Sequence, residues 1–109
     1  MTEFNHVVVF VTAGSQEEAQ SIADTLLERR KAACVNIVPK VDSHFRWEGK
    51  LETEQEVLLI IKTRASLVDE LVDLVKSIHS YDVPEVIALP VIGGNQDYLE
   101  WVDEEVAEE

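Results

Sequence analysis

Consecutive apolar residues in three short stretches constrain the fold of this chain more than any other feature. The stretches lie at residues 7–11, 57–61 and 86–89, and none of them alternates with polar residues. A strand with one face in water alternates apolar and polar side chains, whereas a strand buried on both faces does not. We therefore expect three strands of one sheet whose two faces are both covered.

The order of the secondary-structure patterns predicts the fold class. The first helix opens with a capping box at Ser15 and Glu18, and the second opens at Ser66 and Asp69. The patterns are strand, helix, strand, strand, helix, strand and short helix, at residues 6–13, 15–31, 34–47, 51–63, 66–78, 85–92 and 95–106. The order βαββαβ with right-handed crossovers predicts an α+β, ferredoxin-like sandwich, in which both helices cover one face of a four-stranded antiparallel sheet.

The middle two strands form a hairpin that is too long for a domain of this size. Each has thirteen or fourteen residues, which extend over roughly 45 Å. A chain of this length folds into a domain with a diameter of roughly 34 Å. A turn at Glu48 and Gly49 joins the strands, and Pro39 predicts an edge strand or a bulge. We expect a protruding hairpin and, with the doubly apolar strands, a homo-oligomer that covers both features.

Length, charge and cysteine content narrow the class of protein. The 109 residues predict one domain over 1–109, with an acidic tail at about 103–109. A net charge of −13 argues against a role in nucleic-acid binding, since such a surface repels phosphates. The N-terminal apolar run is too short for a signal core or a membrane span, and Cys34 is the only cysteine. These features favour a cytoplasmic protein that does not contact membranes.

Five fragments in matching order resemble the CutA divalent-cation tolerance family. They are AACVNIVP (32–39), WEGKLE (47–52), the lysine of IIKT (60–63), HSYDVPE (79–85) and YLEW (98–101). The resemblance covers residues 7–102, nearly the whole chain. It implies a ferredoxin-like subunit, a homotrimer, a role in divalent-cation tolerance or in the response to metal ions, and an architecture akin to that of PII signalling proteins.

The resemblance also implies where a metal would bind. Copper binding has been described in bacterial members, through positions that correspond here to Val11, Ile78 and His79. Only His79 is of ligand type, so this chain lacks two of the three copper ligands that the resemblance implies. The residues themselves favour His79 as the C-terminal cap of the second helix. They favour Cys34 as a small core residue rather than a ligand or a reactive thiol.

A second group of polar and aromatic residues falls within the matched fragments. Lys62 ends an apolar strand, where a buried ammonium needs an acidic partner such as Glu56 or Glu85. Aromatic walls around such a pair are typical of a small-molecule cleft between subunits, and equally of an interface whose polar groups satisfy one another. The candidate inter-subunit cleft comprises Trp47, Glu56, Lys62, Tyr81, Glu85, Tyr98 and Trp101.

The sequence does not favour an enzyme. It contains no nucleophile elbow, Walker loop or GxGxxG motif, and Gly93-Gly94 lacks the lysine of a phosphate-binding loop. We expect a CutA-like trimer with no required cofactor and with weak binding of copper or another divalent metal through His79 and Cys34. The alternative is a PII-like sensor or adaptor trimer that binds a small effector in its inter-subunit clefts.

Overall fold

The order of elements expected from the sequence is confirmed. The computed structural model describes residues 4–106. Its elements are β1 (His6–Ala13), α1 (Gln16–Glu28), β2 (Cys34–Trp47), β3 (Lys50–Arg64), α2 (Val68–Ile78), β4 (Val86–Pro90) and α3 (Gln96–Glu105). The four strands form one antiparallel sheet in the order β2-β3-β1-β4, which is the ferredoxin-like arrangement.

The two main helices begin differently from one another. In α1 the Ser15 hydroxyl accepts a hydrogen bond from the Glu18 N–H, as the capping box predicts, but the Glu18 carboxylate accepts from the N–H of Gly14. A 3-10 turn at Ala65–Leu67 precedes α2, and within residues 4–106 no side chain caps the helix. The helix expected to open at Ser66 and Asp69 is present and begins at Val68.

One face of the sheet carries the core. Alternate residues of β1 and β3, such as Val9, Val11, Leu59 and Ile61, are fully buried and belong to one cluster with residues of α1 and α2. The intervening residues of both strands point to the other face and are half-buried. On β4 the side chain of Ile87 is 52% exposed. A single chain therefore leaves the second face of its sheet partly open.

Helix α3 covers one end of that open face. The Asp103 carboxylate lies 2.8 Å from Nε2 of His6 and 3.0 Å from Nη1 of Arg64, and these two residues are partners across β1 and β3. Val106, just beyond the helix, is only 3% exposed. The acidic tail expected from residue 103 is thus wrong for residues 103–106, because Val102 and Val106 bury an apolar side of this segment. The rest of the expected tail, residues 107–109, lies outside the described residues.

The hairpin of β2 and β3 extends beyond the rest of the sheet. Pairing between β1 and β3 ends at Ala13 and Val57, so residues 50–56 pair only with β2. A register shift lies between Val38 and Val41, where Pro39 interrupts the edge strand as expected. The segments 41–47 and 50–56 are called the arm below. The longest dimension of the molecule is 43 Å.

Candidate functional site

A groove runs between the arm and the segment that connects α2 to β4. Its volume is about 860 Å³, large enough for a small molecule or a side chain of another subunit. Its apolar walls come mainly from aromatic residues, and five carboxylates line it. Among the described residues that line the groove, none is a lysine or an arginine. The lining residues are Thr12, Ser43, His44, Phe45, Trp47, Glu52, Glu54, Glu56, Tyr81, Asp82, Val83 and Glu85.

A hydrogen bond between Tyr81 and Glu56 closes the inner end of the groove. The hydroxyl of Tyr81 donates to Oε2 of Glu56 over 2.8 Å, which joins the segment after α2 to β3. Burial, the hydrogen bond to Glu56 and the charges of Glu56, Glu18 and Glu54 raise the pKa of Tyr81 to about 12. The phenol therefore stays protonated and remains a donor throughout the physiological pH range.

Glu85 occupies the same end of the groove without a cation beside it. Burial, and then the charge of Glu56, raise the pKa of Glu85 above its usual value. No hydrogen bond or ion pair to Glu85 is formed within residues 4–106. The inner end of the groove therefore has an excess of negative charge, which a cation would stabilise.

His79 has a structural role that uses both of its ring nitrogens. Its backbone N–H caps α2 by donating to the carbonyl of Val75. In the ring, Nε2 lies 2.7 Å from the Thr12 carbonyl, and Nδ1 lies 3.0 Å from the backbone N of Tyr81. Because a carbonyl can only accept and an N–H can only donate, these partners assign a neutral imidazole protonated at Nε2.

Glu18 fixes the neighbouring residues of the same segment. Its carboxylate accepts hydrogen bonds from the N–H and the hydroxyl of Ser80, and from the N–H of Gly14. Burial alone would raise the pKa of Glu18, but these hydrogen bonds and the nearby ring of His79, whose Nδ1 lies 3.5 Å from Oε2 of Glu18, outweigh it and lower the pKa.

The residues that correspond to the copper ligands of bacterial relatives do not form a metal site. Val11 is buried in the core, Ile78 is 39% exposed at the end of α2, and the side chain of His79 is fully buried. His79 has no free lone pair for a metal, because Nδ1 already accepts the Tyr81 N–H. Within residues 4–106, no three His, Cys, Asp or Glu side chains are arranged to hold one ion. The described residues therefore do not fit a specific copper site.

Lys62 belongs to a different place from the groove. Its ammonium donates to Oδ1 of Asn36 and lies 3.9 Å from Sγ of Cys34. Burial, and then the proximity of Cys34, raise the pKa of Tyr98 above its usual value. We call Cys34, Asn36, Lys62 and Tyr98 the Lys62 cluster. Cys34 is half-buried beside a charge, so the expectation of a simple core residue is wrong.

The structure therefore divides the seven-residue cleft predicted from the sequence. Trp47, Glu56, Tyr81 and Glu85 line the groove. Lys62, Tyr98 and Trp101 do not, and the rings of the two aromatic residues contact one another with centroids 5.5 Å apart. Within the described residues of one chain Lys62 pairs with neither Glu56 nor Glu85, so the expected pair stays a prediction for the contact between subunits. Six residues separate Lys62 from Glu56 along β3, which is a distance of about 20 Å in an extended strand.

Sequence reasoning missed several residues that organise these two places. Glu18 was recognised only as part of a capping box, although it also holds Ser80. Asn36 was not singled out, because its role depends on its position opposite Ile60, two residues from Lys62. A period-two pattern across Cys34, Asn36 and Val38 was the available signal, since these alternate residues share one face of β2.

Comparison with known proteins identifies the family. The model of the family described as CutA1 divalent ion tolerance protein matches residues 7–105. The chain belongs to this family. It is 54% identical to a rice protein named CutA 1, chloroplastic, over 88% of this chain and 54% of that one. It is 47% identical to the divalent-cation tolerance protein CutA of Thermus thermophilus, over 89% of this chain and 94% of that one.

Solved structures of CutA proteins share the whole fold of this chain. The crystal structure of rice CutA1 aligns with a TM-score of 0.94 and 50% identity over 100% of both chains. The CutA of Archaeoglobus fulgidus, which is named periplasmic, aligns with a TM-score of 0.91 and 45% identity over 94% of this chain and 99% of that one. These matches do not favour the PII-like alternative.

The chain spans about half the length of the plant and human CutA relatives that it matches.

None of the helices within residues 4–106 has the length and apolar character that crossing a bilayer requires.

Proposed function

We propose that this CutA-family chain acts in divalent-cation tolerance as a homotrimer that binds cations weakly and catalyses no reaction. The carboxylate-lined groove is the observation that carries the proposal. It concentrates five carboxylates along aromatic walls, with no lysine or arginine among the described lining residues. Such a groove attracts cations, while the absence of three converging ligands within residues 4–106 makes the binding weak.

The open sheet face supports the oligomer. Ile87, Leu89 and Ile92 are 52%, 44% and 86% exposed in the single chain, and the half-buried residues of β1 and β3 continue the same apolar surface. Large apolar surfaces of this kind mark protein interfaces. A second copy of the chain is the simplest cover, because closed symmetric assemblies are the usual form of soluble oligomers. The trimer is the state that the resemblance to the CutA family implies.

The carboxylates of the arm supply the cation binding. Glu54 is exposed and Glu52 is half-buried, and both line the outer part of the groove. Oxygen ligands suit hard divalent cations, whereas copper prefers imidazole and thiolate ligands. We therefore assign cation binding to the arm rather than to His79 and Cys34. We also propose a cytoplasmic location for this chain. The rice and Archaeoglobus relatives are named chloroplastic and periplasmic, so the location differs from theirs under this proposal.

A paired physical and cellular experiment tests this function. Light scattering should give the mass of a trimer at micromolar concentration, and calorimetry should show weak binding of Mn²⁺, Zn²⁺ and Cu²⁺. The variant Glu52→Gln/Glu54→Gln should lower that binding and should reduce rescue of metal sensitivity in a host that lacks its own CutA. The matched control is Glu17→Gln/Glu28→Gln on α1, where both carboxylates are exposed and away from the groove. A monomer, or equal rescue by both variants, would contradict the proposal.

A further inference from the structure

We propose that Lys62 of one copy enters the groove of a neighbouring copy and pairs there with Glu85. This inference rests on the proposed homo-oligomer and names the residues that join its subunits. The groove is then a composite site, because the cation that its inner carboxylates need comes from a second chain.

The inner end of the groove is negatively charged. It contains Glu56 and Glu85, and within residues 4–106 only the phenol of Tyr81 donates a hydrogen bond to Glu56. Glu85 has neither a cation nor a hydrogen-bond donor within residues 4–106. A carboxylate that is partly buried beside another carboxylate is destabilised in its charged form, and a cation of matching reach removes that cost.

Lys62 is surrounded by neutral partners within its own chain. Its partners are the amide oxygen of Asn36 and the thiol of Cys34, both of which are neutral groups. No carboxylate in the described part of the chain pairs with this ammonium. By contrast, Lys31 on the helical side has Glu70 at 2.8 Å. Lys62 is thus a half-buried cation on a sheet face that one chain leaves open.

One side of β3 has a charged residue at each end and apolar residues between them. Glu56, Leu58, Ile60 and Lys62 are alternate residues, so they lie on the same side of the strand, and all four are half-buried. The side therefore has an anionic end, an apolar middle and a cationic end, about 20 Å apart. We call these four residues the β3 strip. The two charged ends cannot meet within one chain.

A second copy satisfies all three observations at once. Each copy has one cationic end and one anionic end, so copies joined end to end can close into a ring in which every charge has a partner. The apolar middle of the β3 strip then lies against the neighbour, which covers the open face of the sheet. The arm carboxylates Glu52 and Glu54, farther from Lys62 along the same strand, are left for cations.

Zero-length cross-linking tests the contact directly. A carbodiimide joins an amine to a carboxylate only when the two groups touch, so it cannot join Lys62 to Glu56 or Glu85 across a single chain. We expect mass spectrometry to detect a peptide that links Lys62 to Glu85. In an oligomer assembled from ¹⁴N- and ¹⁵N-labelled chains, that peptide should contain both labels. The variant Lys62→Arg keeps the charge and the assembly but lacks the amine, so the link should disappear.

Charge exchange provides a second, independent test. Lys62→Glu and Glu85→Lys should each raise the concentration of half-dissociation by tenfold or more, since both place like charges in contact. The double variant Lys62→Glu/Glu85→Lys should recover most of the loss. Lys76→Glu on α2 makes the same change of charge outside the β3 strip and should leave assembly unchanged. Circular dichroism of each variant separates a change in assembly from a failure to fold.

The outcomes distinguish this inference from the proposed function. A wild-type monomer contradicts the homo-oligomer and, with it, this contact. A wild-type oligomer in which Lys62 forms no link to Glu85, or in which the double variant recovers nothing, overturns this inference alone. A two-label link together with recovery in the double variant establishes the composite site.

Discussion

Tyr81 and Glu56 are 25 residues apart in the chain, yet the phenol hydroxyl donates a 2.8 Å hydrogen bond to the carboxylate. This bond is the direct link between the segment after α2 and the strand that continues into the arm. It places Trp47 and Glu85, which lie on the two sides of the groove, in a fixed relation. The hydroxyl of Tyr81 therefore helps to fix the width of the groove.

Removing that hydroxyl is expected to loosen the groove with a modest cost in stability. Tyr81→Phe keeps the ring contact with His79, whose centroid lies 4.7 Å away, and leaves Glu56 without its donor. We expect the free energy of unfolding to fall by about 1 kcal/mol, the usual net contribution of a hydrogen bond. Urea denaturation measures this change. A free energy of unfolding that Tyr81→Phe leaves unchanged would contradict this role of the hydroxyl.

Glu18 is expected to make stability depend on pH in the acid range. Its pKa is lowered in the folded state, so its contribution is fully present above the unfolded value of about 4.5 and is lost as the pH falls through the folded value. Glu18→Gln should therefore reduce stability at pH 7 by about 1–2 kcal/mol, because hydrogen bonds to a charged acceptor weaken. The difference between variant and wild type should shrink below pH 4.

A constant difference between the two proteins from pH 7 to pH 3 would show that the charge of Glu18 is not what stabilises the segment. Glu17→Gln provides the control, since Glu17 lies in the same first turn of α1 and is exposed. Its effect on the pH profile should be small.

His79 is expected to matter for stability and not for copper. His79→Ala removes the donor to the Thr12 carbonyl and the acceptor of the Tyr81 N–H, and it leaves a cavity in a fully buried site. We expect a loss of about 2–4 kcal/mol in the free energy of unfolding. Calorimetric titration with Cu²⁺ should give the same affinity for the variant and the wild type. Copper binding that disappears in His79→Ala would contradict the structural role.

The fold could be predicted from the sequence because strand and helix periodicities and their order specify a ferredoxin-like sandwich. Four of the seven cleft residues, Trp47, Glu56, Tyr81 and Glu85, line one groove of the single chain, where the arm meets the segment after α2. Within one chain Lys62 lies about 20 Å from Glu56, as six residues of an extended strand require, so a cleft that contains both needs two chains. The cleft between subunits therefore stays a prediction.

The C-terminal segment was misread for a different reason. From residue 103 its high content of acidic residues resembles a solvated tail, which obscured Val106 at the helical spacing of four residues from Val102. Both valines are nearly inaccessible to water, at 2% and 3% exposure. Asp103 on the same segment binds His6 and Arg64, which sequence alone could not pair with it.

Truncation of this segment is therefore expected to destabilise the protein, whereas loss of a frayed tail would not. A chain that ends at Glu105 loses Val106, whose burial contributes about 1.5–3 kcal/mol. A chain that ends at Val102 also loses Asp103 and the two backbone carbonyls, of Glu104 and Glu105, that accept hydrogen bonds from Arg30. Thermal melts of both truncations, compared with a chain that ends at Val106, should show two successive decreases. Equal melting temperatures for all three chains would mean that α3 does not stabilise the open face, and that its contacts with β1 and β3 are incidental.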